Sequence, residues 1–465
     1  MNDDCDLLVV GGGPAGLAAA TEAAALGIAT VLVDEQATPG GQIYRAVERA
    51  RAPSIERALG ASYQEGAALV ARFRESKCDY RPGHKVWQID PDGRVFVSDG
   101  ERASVIAARQ VIVAIGALER PVPIPGWTLP GVMSIGAAQV LLKASGLVPR
   151  EDVWIAGSGP LVWLFAAQLA AVGARPAGVL DTAPPGARWA ALRHFAGAWT
   201  GREWLKRGLA YRQQVFGAGI PVITGVEAVE AMGDGRIAHV RYRVAGSWRD
   251  AAAAGLLLHE GVIPNVHMAM SCGVAHEWDA RQGCLRARRD AFGRTNIERI
   301  AIAGDCAGIL GAEAAALQGR VAAFGAARAL GRLDEAAARG RARPLHDALS
   351  RQESFRGFLD TLFPPHPTLL APSDDVVICR CESVTAGTIR AAVRTGSLGA
   401  NQVKAFTRCG MGPCQGRTCG TVLMATIAQA RGVSPADVEP IRVRPPLKPI
   451  TLGELASLAQ SEVDG

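Results

Sequence analysis

Five of the ten cysteines in this 465-residue chain lie within 41 residues near its C-terminal end. Their order is Cys379-x-Cys381, then Cys409, then Cys414-x4-Cys419. An even spread would place about one cysteine in such a window, so the clustering indicates metal ligation. Four thiolates suit either zinc or a [2Fe–2S] cluster. The single residue between Cys379 and Cys381 is short for zinc, whose paired ligands are usually separated by about two to four residues.

A second chemical pattern lies near the N-terminus, where an apolar run precedes Gly11-x-Gly13-x-x-Gly16 and an Ala-rich, helix-forming stretch follows. This order of strand, glycine turn and helix is the signature of dinucleotide binding. Gly11 permits the tight turn, Gly13 lets the backbone approach a pyrophosphate, and Gly16 lets the helix pack closely on the strand. Pro14 and Ala15 complete the turn, and the helix N-terminus offers free N–H groups to the phosphates.

An acidic residue about 20 positions after the first glycine is expected to bind the ribose hydroxyls. Asp34 and Glu35 end the next apolar run, 23 and 24 residues after Gly11. Counting favours Asp34, but a shift of one residue in the strand would move the role to Glu35.

A second glycine turn, Gly157-x-Gly159-x-x-Val162, also follows an apolar run, and Asp181 stands 24 residues after Gly157. Valine replaces the third glycine, so helix and strand are expected to approach less closely. Three interpretations stay open for this turn: it binds NAD, it binds another adenine nucleotide, or it keeps the fold and binds nothing. The chain contains no Cys-x-x-Cys pair, which argues against thioredoxin-reductase-type chemistry.

Composition and charge exclude several classes of protein. Hydrophobic residues make up 49% of the chain, which excludes a disordered protein. We expect the net charge of +6 to be spread along the chain, and the aromatic content is only 5%, so no nucleic-acid partner is predicted. The uncharged stretch 153–174 is long enough for a membrane span, but its internal glycine turn favours strand, turn and helix. The acidic N-terminus lacks a secretory signal, so we expect a cytoplasmic protein, either free or peripheral at the inner face of the membrane.

Three further segments resemble the FAD-binding parts of two-dinucleotide flavoproteins. They correspond to the flavin-side loop, the second nucleotide-contact strand and the aspartate that accepts a hydrogen bond from the flavin ribityl chain. A helix N-cap is the structural alternative for Asp305. The resemblance implies FAD at the first glycine turn. In chain order the segments are Pro39-Gly40-Gly41-Gln42, Ala114-Ile115-Gly116-Ala117 and Gly304-Asp305.

The two cysteine phrases resemble the [2Fe–2S] domain of bacterioferritin-associated ferredoxins. They are Cys379-Arg-Cys-Glu-Ser-Val-Thr and Thr407-Arg-Cys-Gly-Met-Gly-Pro-Cys-Gln-Gly-Arg-Thr-Cys419. By this resemblance the cluster ligands are Cys379, Cys381, Cys414 and Cys419. Cys409 then stands outside the ligand set and is expected to be structural.

The order of these parts resembles the alpha subunit of multi-subunit amine and imino-acid dehydrogenases, a family that includes opine oxidases, D-hydroxyproline dehydrogenase and hydrogen cyanide synthase. Sarcosine oxidase alpha subunits are more distant members. The resemblance covers nearly the whole chain. Its most specific phrases span residues 40–45, 125–132, 259–265 and 444–446.

The family resemblance implies a heteromer. An FAD-containing beta subunit would oxidise the substrate C–N bond, a small gamma subunit would take part, and this chain would relay electrons to a quinone or the respiratory chain. An FMN at an interface between subunits is also implied, although no motif here places it. The chain shows no convincing substrate base; His259 and Glu260 are the best candidates, but their loop is expected to pack between domains.

Two alternative functions differ in what they require. A self-contained NADH-dependent flavin/[2Fe–2S] reductase requires a working second glycine turn, and the valine at position 162 argues against it. The second alternative is a redox-sensing scaffold. The intact flavin motifs argue against it, because a sensor need not keep them all.

We therefore predict an α/β chain with two doubly wound dinucleotide-binding domains, the two-dinucleotide flavoprotein fold, and a small helical C-terminal [2Fe–2S] domain. Proline-rich stretches at 120–131 and 363–367 mark the boundaries. The predicted parts are an FAD-binding domain (1–122 and 286–332), a second nucleotide-binding-like domain (123–285), a linker (333–373), the [2Fe–2S] domain (374–432) and an extended tail (433–465).

Overall fold

The computed structural model describes residues 3–149 and 152–463. The first part of the chain contains most of one sheet. Its elements are β1 (Asp3–Val10), α1 (Pro14–Ala25), β2 (Thr30–Asp34), α2 (Pro53–Leu59), α3 (Ala61–Arg74), β3 (Asp79–Pro82), β4 (Lys85–Ile89), β5 (Arg94–Ser98), β6 (Ala103–Val113), β7 (Ala117–Glu119) and β8 (Val132–Ser134).

The middle of the chain contains a second sheet and a group of helices. Its elements are α4 (Ile135–Ser145), β9 (Val153–Ser158), α5 (Pro160–Ala171), β10 (Gly178–Asp181), α6 (Ala187–Ala191), α7 (Phe195–Thr200), α8 (Arg202–Gly217), β11 (Val222–Thr224), β12 (Val226–Met232), β13 (His239–Val244), β14 (Ser247–Ala252), β15 (Gly255–Glu260), β16 (Val262–Pro264), α9 (His267–Ser271), β17 (His276–Asp279) and β18 (Cys284–Ala287).

The remaining chain is mainly helical. Its elements are β19 (Ile300–Ile302), α10 (Ala312–Ala329), α11 (Glu335–Leu362), α12 (Pro367–Leu370), β20 (Val377–Cys379), β21 (Val384–Thr385), α13 (Ala386–Arg394), α14 (Ala400–Thr407), α15 (Gly420–Arg431) and α16 (Leu452–Val463).

The first sheet has the strand order β3-β2-β1-β6-β5-β4, and β19 also pairs with β6. Strands β1, β2, β3, β6 and β19 pair in parallel, whereas β4 and β5 add an antiparallel hairpin. Alternate residues of β1 enter different cores: Leu7 and Val9 pack with residues of α1 and α10, and Leu8 and Val10 pack on the opposite face. Burial on both faces explains why this strand is apolar throughout.

The second sheet is fully parallel, with the order β11-β10-β9-β15-β8. Trp154 and Leu180 share a core with Val240 and Tyr242 of the separate antiparallel sheet β12-β13-β14. The uncharged stretch 153–174 is β9, a glycine turn and α5, as predicted. Within 3–149 and 152–463, the helices lack the combination of length and apolarity needed to cross a membrane.

The chain leaves the first sheet after β6, builds the second sheet from β8 to β15 and returns with β19. Strands β7 and β16 pair with each other along the two connections. The predicted α/β class with two doubly wound sheets is therefore confirmed. The domain limits at residues 122, 285 and 332 remain predictions.

The C-terminal portion is helical, as predicted. Ile389 of α13, Val403 of α14 and Leu423 of α15 form its core together with the cysteine loops. The predicted linker 333–373 contains α11, a helix of 28 residues.

The tail crosses back to the first sheet. Residues 438–451 form neither helix nor strand, but α16 follows them, so the prediction of a wholly extended tail is wrong for its last part. Val443 and Leu447 are buried in the core on the second face of the first sheet, and the Leu447 N–H donates to the Trp87 carbonyl at 2.8 Å. The Ala103 N–H donates to the Ser457 hydroxyl at 2.9 Å. The tail therefore fastens the C-terminal portion to the first sheet.

Candidate functional site

The first glycine turn joins β1 to α1 and brings the predicted FAD residues together. A Cβ on Gly11 would lie 2.6 Å from the Ala114 carbonyl oxygen, and one on Gly16 would overlap the Gly11 carbonyl. Gly41 stands equally close to Gly13, since its Cβ would lie 2.8 Å from the Gly13 Cα. These approaches explain why glycine is needed. They leave backbone N–H groups open at the start of α1, where a pyrophosphate would bind.

The two acidic residues that end β2 have different surroundings. Asp34 is buried and accepts hydrogen bonds from the N–H groups of Gly12 at 3.0 Å and Gln36 at 3.1 Å. Burial raises the pKa of Asp34, and these hydrogen bonds oppose the rise. Glu35 is exposed and pairs with Lys448 of the tail. Asp34 is thus the acid held against the glycine turn.

The segment 304–305 approaches the same turn from β19. A Cβ on Gly304 would lie 2.7 Å from the Ala15 Cβ. One oxygen of Asp305 accepts the N–H groups of Leu310 and Gly311, each at 3.0 Å, just before α10. Asp305 is therefore not the N-cap of α10, which is Gly311; one of its carboxylate oxygens orders the loop before the helix, and the second oxygen takes no part in these two hydrogen bonds. Gly116 has a positive φ of +68° and its carbonyl accepts the N–H of Asn265.

Several polar atoms around this turn fit an oxygen-rich dinucleotide. Arg45 donates to the side chain of Gln36 and, at 3.0 Å, to that of Gln42. The Arg45 Nε and the Gln318 Nε2 are buried without a hydrogen-bond partner among the described residues. Gln318 lies at the site because its Oε1 accepts the Gly304 N–H at 2.9 Å. Unpaired buried donors are costly in an empty site and are satisfied by a ligand that accepts hydrogen bonds.

Lys143 is a buried neighbour that no spacing in the sequence indicated. Its ammonium donates to the Gln139 side chain at 2.9 Å and to the Gln42 carbonyl at 3.3 Å. Burial lowers the pKa of Lys143 to about 7, with the nearby Arg45 charge acting in the same direction. The Lys143 ammonium, on α4, thus bonds to the predicted flavin-side loop.

The second glycine turn keeps its geometry without a third glycine. A Cβ on Gly157 would overlap the His259 carbonyl, and Gly159 precedes the first residue of α5. Val162 is buried. Asp181 ends β10 in a buried position, where desolvation raises its pKa.

A cavity of about 620 Å³ opens beside Asp181. Arg188 and Arg212 line it together with Thr224 and Phe363. No arginine follows Asp181 directly in the sequence; the two arginines come from α6 and α8 and reach the cavity through the fold. The site can thus offer both an acid and cationic groups to a ligand.

His259 and Glu260 form buried contacts between elements. His259 Nδ1 lies 2.7 Å from a carboxylate oxygen of Glu119, whose other oxygen accepts the Gly136 N–H at 2.7 Å. Glu260 accepts the Thr182 hydroxyl at 2.5 Å, and burial raises its pKa to about 7. These contacts agree with the predicted packing role of the loop.

The five clustered cysteines divide into a group of three and a pair. The sulfurs of Cys379, Cys409 and Cys419 all lie within 4.8 Å of one another. Cys381 hydrogen-bonds the backbone and thiol of Cys414. Cys409 thus lies beside two of the expected ligands, and its predicted place outside the ligand set stays a prediction. Hydrogen bonds from the Cys409 and Cys419 thiols hold the pKa of Cys379 well below its usual range, and the same contacts raise the pKa of both partner thiols.

The comparisons with known proteins agree with this architecture. Residues 5–320 match the pyridine nucleotide-disulphide oxidoreductase family, and residues 376–459 match the sarcosine oxidase A3 domain. An opine oxidase subunit of Rhizobium meliloti (strain 1021) is 40% identical over 98% of this chain and 99% of its own length. Hydrogen cyanide synthase subunit HcnB of Pseudomonas aeruginosa is 35% identical over 97% of this chain and 98% of its own.

A solved structure shares the fold. L-proline dehydrogenase from P. horikoshii superposes with a TM-score of 0.70 at 18% sequence identity, covering 97% of this chain and 79% of that one. At this identity the likeness concerns the fold alone.

Proposed function

Because this chain belongs to the pyridine nucleotide-disulphide oxidoreductase family and to the group of enzyme subunits that includes those of opine oxidase and hydrogen cyanide synthase, we propose that it is the electron-transferring subunit of a multi-subunit flavin dehydrogenase. The enzyme oxidises the C–N bond of an amino acid, imino acid or opine. The substrate site lies mainly in a partner subunit.

One observation carries this proposal. The chain has two sites suited to cofactors, whereas its best candidates for substrate chemistry are engaged in packing contacts. The first glycine turn, Asp34, Gln42 and Asp305 surround one place for a dinucleotide. The cysteine group of the C-terminal portion offers thiolates for a metal cluster. His259 and Glu260, the candidates for substrate chemistry, are buried in packing contacts.

FAD is the dinucleotide that we assign to the first turn. Asp34 would bind the ribose hydroxyls, the start of α1 would bind the pyrophosphate, and the free oxygen of Asp305 would accept a hydrogen bond from the ribityl chain. Arg45 would place positive charge on the side of the flavin-side loop, and Lys143 would add a hydrogen-bond donor there. A bound FAD supplies two-electron chemistry that can be divided into single-electron steps.

A [2Fe–2S] cluster is the metal group that we assign to the cysteines. The family resemblance favours Cys379, Cys381, Cys414 and Cys419 as ligands. The position of Cys409 beside Cys379 and Cys419 makes it the competing fourth ligand. Thiolate ligation suits this cluster because each iron prefers sulfur donors.

The relatives are subunits of larger enzymes, which supports a heteromer, and the identities of the partners are taken from the family resemblance. An FAD-containing beta subunit would hold the substrate, a small gamma subunit would complete the assembly, and an FMN would lie at an interface. The electron acceptor would be a quinone or another carrier of the respiratory chain.

One observation favours the alternative of a self-contained NADH-dependent reductase. The cavity beside Asp181 is large enough to receive part of a nucleotide, and Arg188 and Arg212 could pair with its phosphates.

An anaerobic titration separates the two functions. The purified chain is treated with NADH and then with dithionite, while flavin absorbance and the EPR signal of the cluster are recorded. A relay subunit stays oxidised with NADH and is reduced by dithionite. Prompt, stoichiometric reduction by NADH would establish the reductase instead. A chain that carries neither flavin nor iron, even when co-produced with its partner subunits, would contradict both.

A further inference from the structure

Residues 187–217, here called the basic tryptophan segment, expose large apolar side chains. The segment comprises α6, a short 3-10 turn, α7 and α8. Three of the nine tryptophans of the chain lie within it. Their exposed fractions are 78% for Trp189, 65% for Trp199 and 46% for Trp204. Further exposed apolar residues are Leu192, Leu209 and Phe216. A contiguous stretch with this much exposed apolar surface marks an interaction site.

The same segment carries most of the net charge. It contains six basic residues and one acid, a balance of +5, whereas the whole chain has +6. The expectation of evenly spread charge is therefore wrong. The basic residues are Arg188, Arg193, Arg202, Lys206, Arg207 and Arg212, and the acid is Glu203.

The fold holds this segment rigidly against α11. A Cβ on Gly197 would overlap the Ser354 carbonyl, and one on Gly201 would overlap the Phe355 ring, so the backbone lies directly on α11. Glycines thus form the inward side of α7 while Trp199 remains outside. Trp199 is therefore exposed on a helix whose backbone packs on α11, and its exposure is not that of a loose loop.

Arginine side chains lie beside two of the exposed tryptophans. The Arg202 guanidinium lies 6.0 Å from the Trp199 ring, and the Arg207 guanidinium lies 4.9 Å from the Trp204 ring. Indole rings prefer the headgroup level of a bilayer, where one edge is apolar and the other hydrated. Arginine and lysine are attracted to anionic headgroups at the same depth.

We infer that the basic tryptophan segment is a docking surface for an anionic phospholipid membrane. Arginine and tryptophan are also enriched at protein–protein interfaces, so the choice of a membrane rests on charge complementarity. Six basic residues against a single acid in this segment complement an anionic headgroup layer. The inference does not depend on which cofactors the chain binds.

Vesicle co-sedimentation tests this surface with the full-length chain. The vesicles contain either phosphatidylcholine alone or phosphatidylcholine with phosphatidylglycerol. We expect binding to the anionic vesicles that weakens with added salt, and little binding to the neutral ones. The variant Trp189→Ser/Trp199→Ser/Trp204→Ser should bind at least about tenfold more weakly. The variant Arg193→Glu/Arg202→Glu should do the same, and it leaves untouched the two arginines that line the cavity.

The matched control is Trp248→Ser. Trp248 is 37% exposed on β14, and the Arg241 guanidinium lies 4.6 Å from its ring, but it lies outside the segment. This variant should bind vesicles as the unaltered chain does. Circular dichroism and thermal unfolding confirm that each variant is folded. Failure of the unaltered chain to bind anionic vesicles would overturn the inference, as would equal binding by the triple tryptophan variant. Protection of the segment by a co-produced subunit, without vesicle binding, would assign the surface to a protein partner instead.

Discussion

At the scale of single residues, the first glycine turn assigns different roles to two neighbouring acids. Spacing alone does not decide whether Asp34 or Glu35 binds the ribose hydroxyls. The structure separates them because Asp34 accepts the Gly12 N–H at 3.0 Å while Glu35 pairs with Lys448. Counting along a strand locates its end to about one residue, so only the three-dimensional contact could decide.

Asp34→Ala should weaken FAD binding at least about tenfold, which corresponds to about 1.4 kcal/mol. Glu35→Gln should weaken it by about threefold or less, because only an exposed ion pair is lost. Fluorescence titration of the FAD-free chain with FAD measures both. The reverse order of effects would move the ribose role to Glu35.

Lys143 predicts a pH-dependent stability. Its pKa falls from 10.5 to about 7 in the folded chain, so between these values the unfolded chain binds more protons and stability rises with pH. Below about pH 7 the folded chain bears the full cost of burying the charge. Lys143→Met should therefore gain most in melting temperature near pH 6, with the gain shrinking towards pH 9. The exposed Lys206→Met controls for loss of a lysine charge. A gain that does not vary with pH would contradict the prediction.

Single Cys→Ser variants can identify which cysteines are ligands of the proposed cluster. Cys414→Ser should lose most of the iron, whereas Cys409→Ser should keep it with an altered EPR spectrum, because Cys409 touches two ligands without being one. Iron per chain and EPR spectra are the measurements. Loss of iron in Cys409→Ser but not in Cys414→Ser would make Cys409 the fourth ligand.

At the scale of elements, the tail joins two parts of the molecule that are far apart in sequence. Val443 and Leu447 share a core with Val31 and Val33 of β2, so the tail packs beneath the strand that ends in Asp34. Lys448 is thereby held beside Glu35. The proline-rich sequence predicted an extended segment, but not where it would lie, because proline fixes only local backbone conformation.

Lys448→Met should release bound FAD roughly threefold faster, since the same ion pair with Glu35, at the edge of the ribose site, is lost. Arg444→Met, an exposed change in the same tail, should have no effect. FAD release is followed by its fluorescence after dilution. Equal release rates in the Lys448 variant and the unaltered chain would show that the tail does not hold the nucleotide.

At the scale of the whole molecule, repeated local patterns predicted the architecture well. Both sheets contain a unit of apolar strand, glycine turn and helix, β1–α1 in the first and β9–α5 in the second, and these signals are local in sequence. The cavity at Asp181 and the charge of the basic tryptophan segment were missed for opposite reasons. Arg188 and Arg212 reach the cavity from different helices, which no spacing rule captures. The charge of residues 187–217 was visible in the sequence but was hidden in an average over the whole chain.

The tail also has a consequence for biosynthesis. The ribosome makes the first glycine turn and β2 at the very start, but it makes Leu447 and Lys448 only after both sheets and the cysteine loops. The nascent chain therefore exposes an unfinished nucleotide site throughout translation, and its edge closes only once the cysteine loops have also emerged. Under the proposed cofactors, flavin insertion and cluster assembly would both be completed late, and a chain interrupted before residue 443 would carry the glycine turn without the tail residues that pack beneath β2.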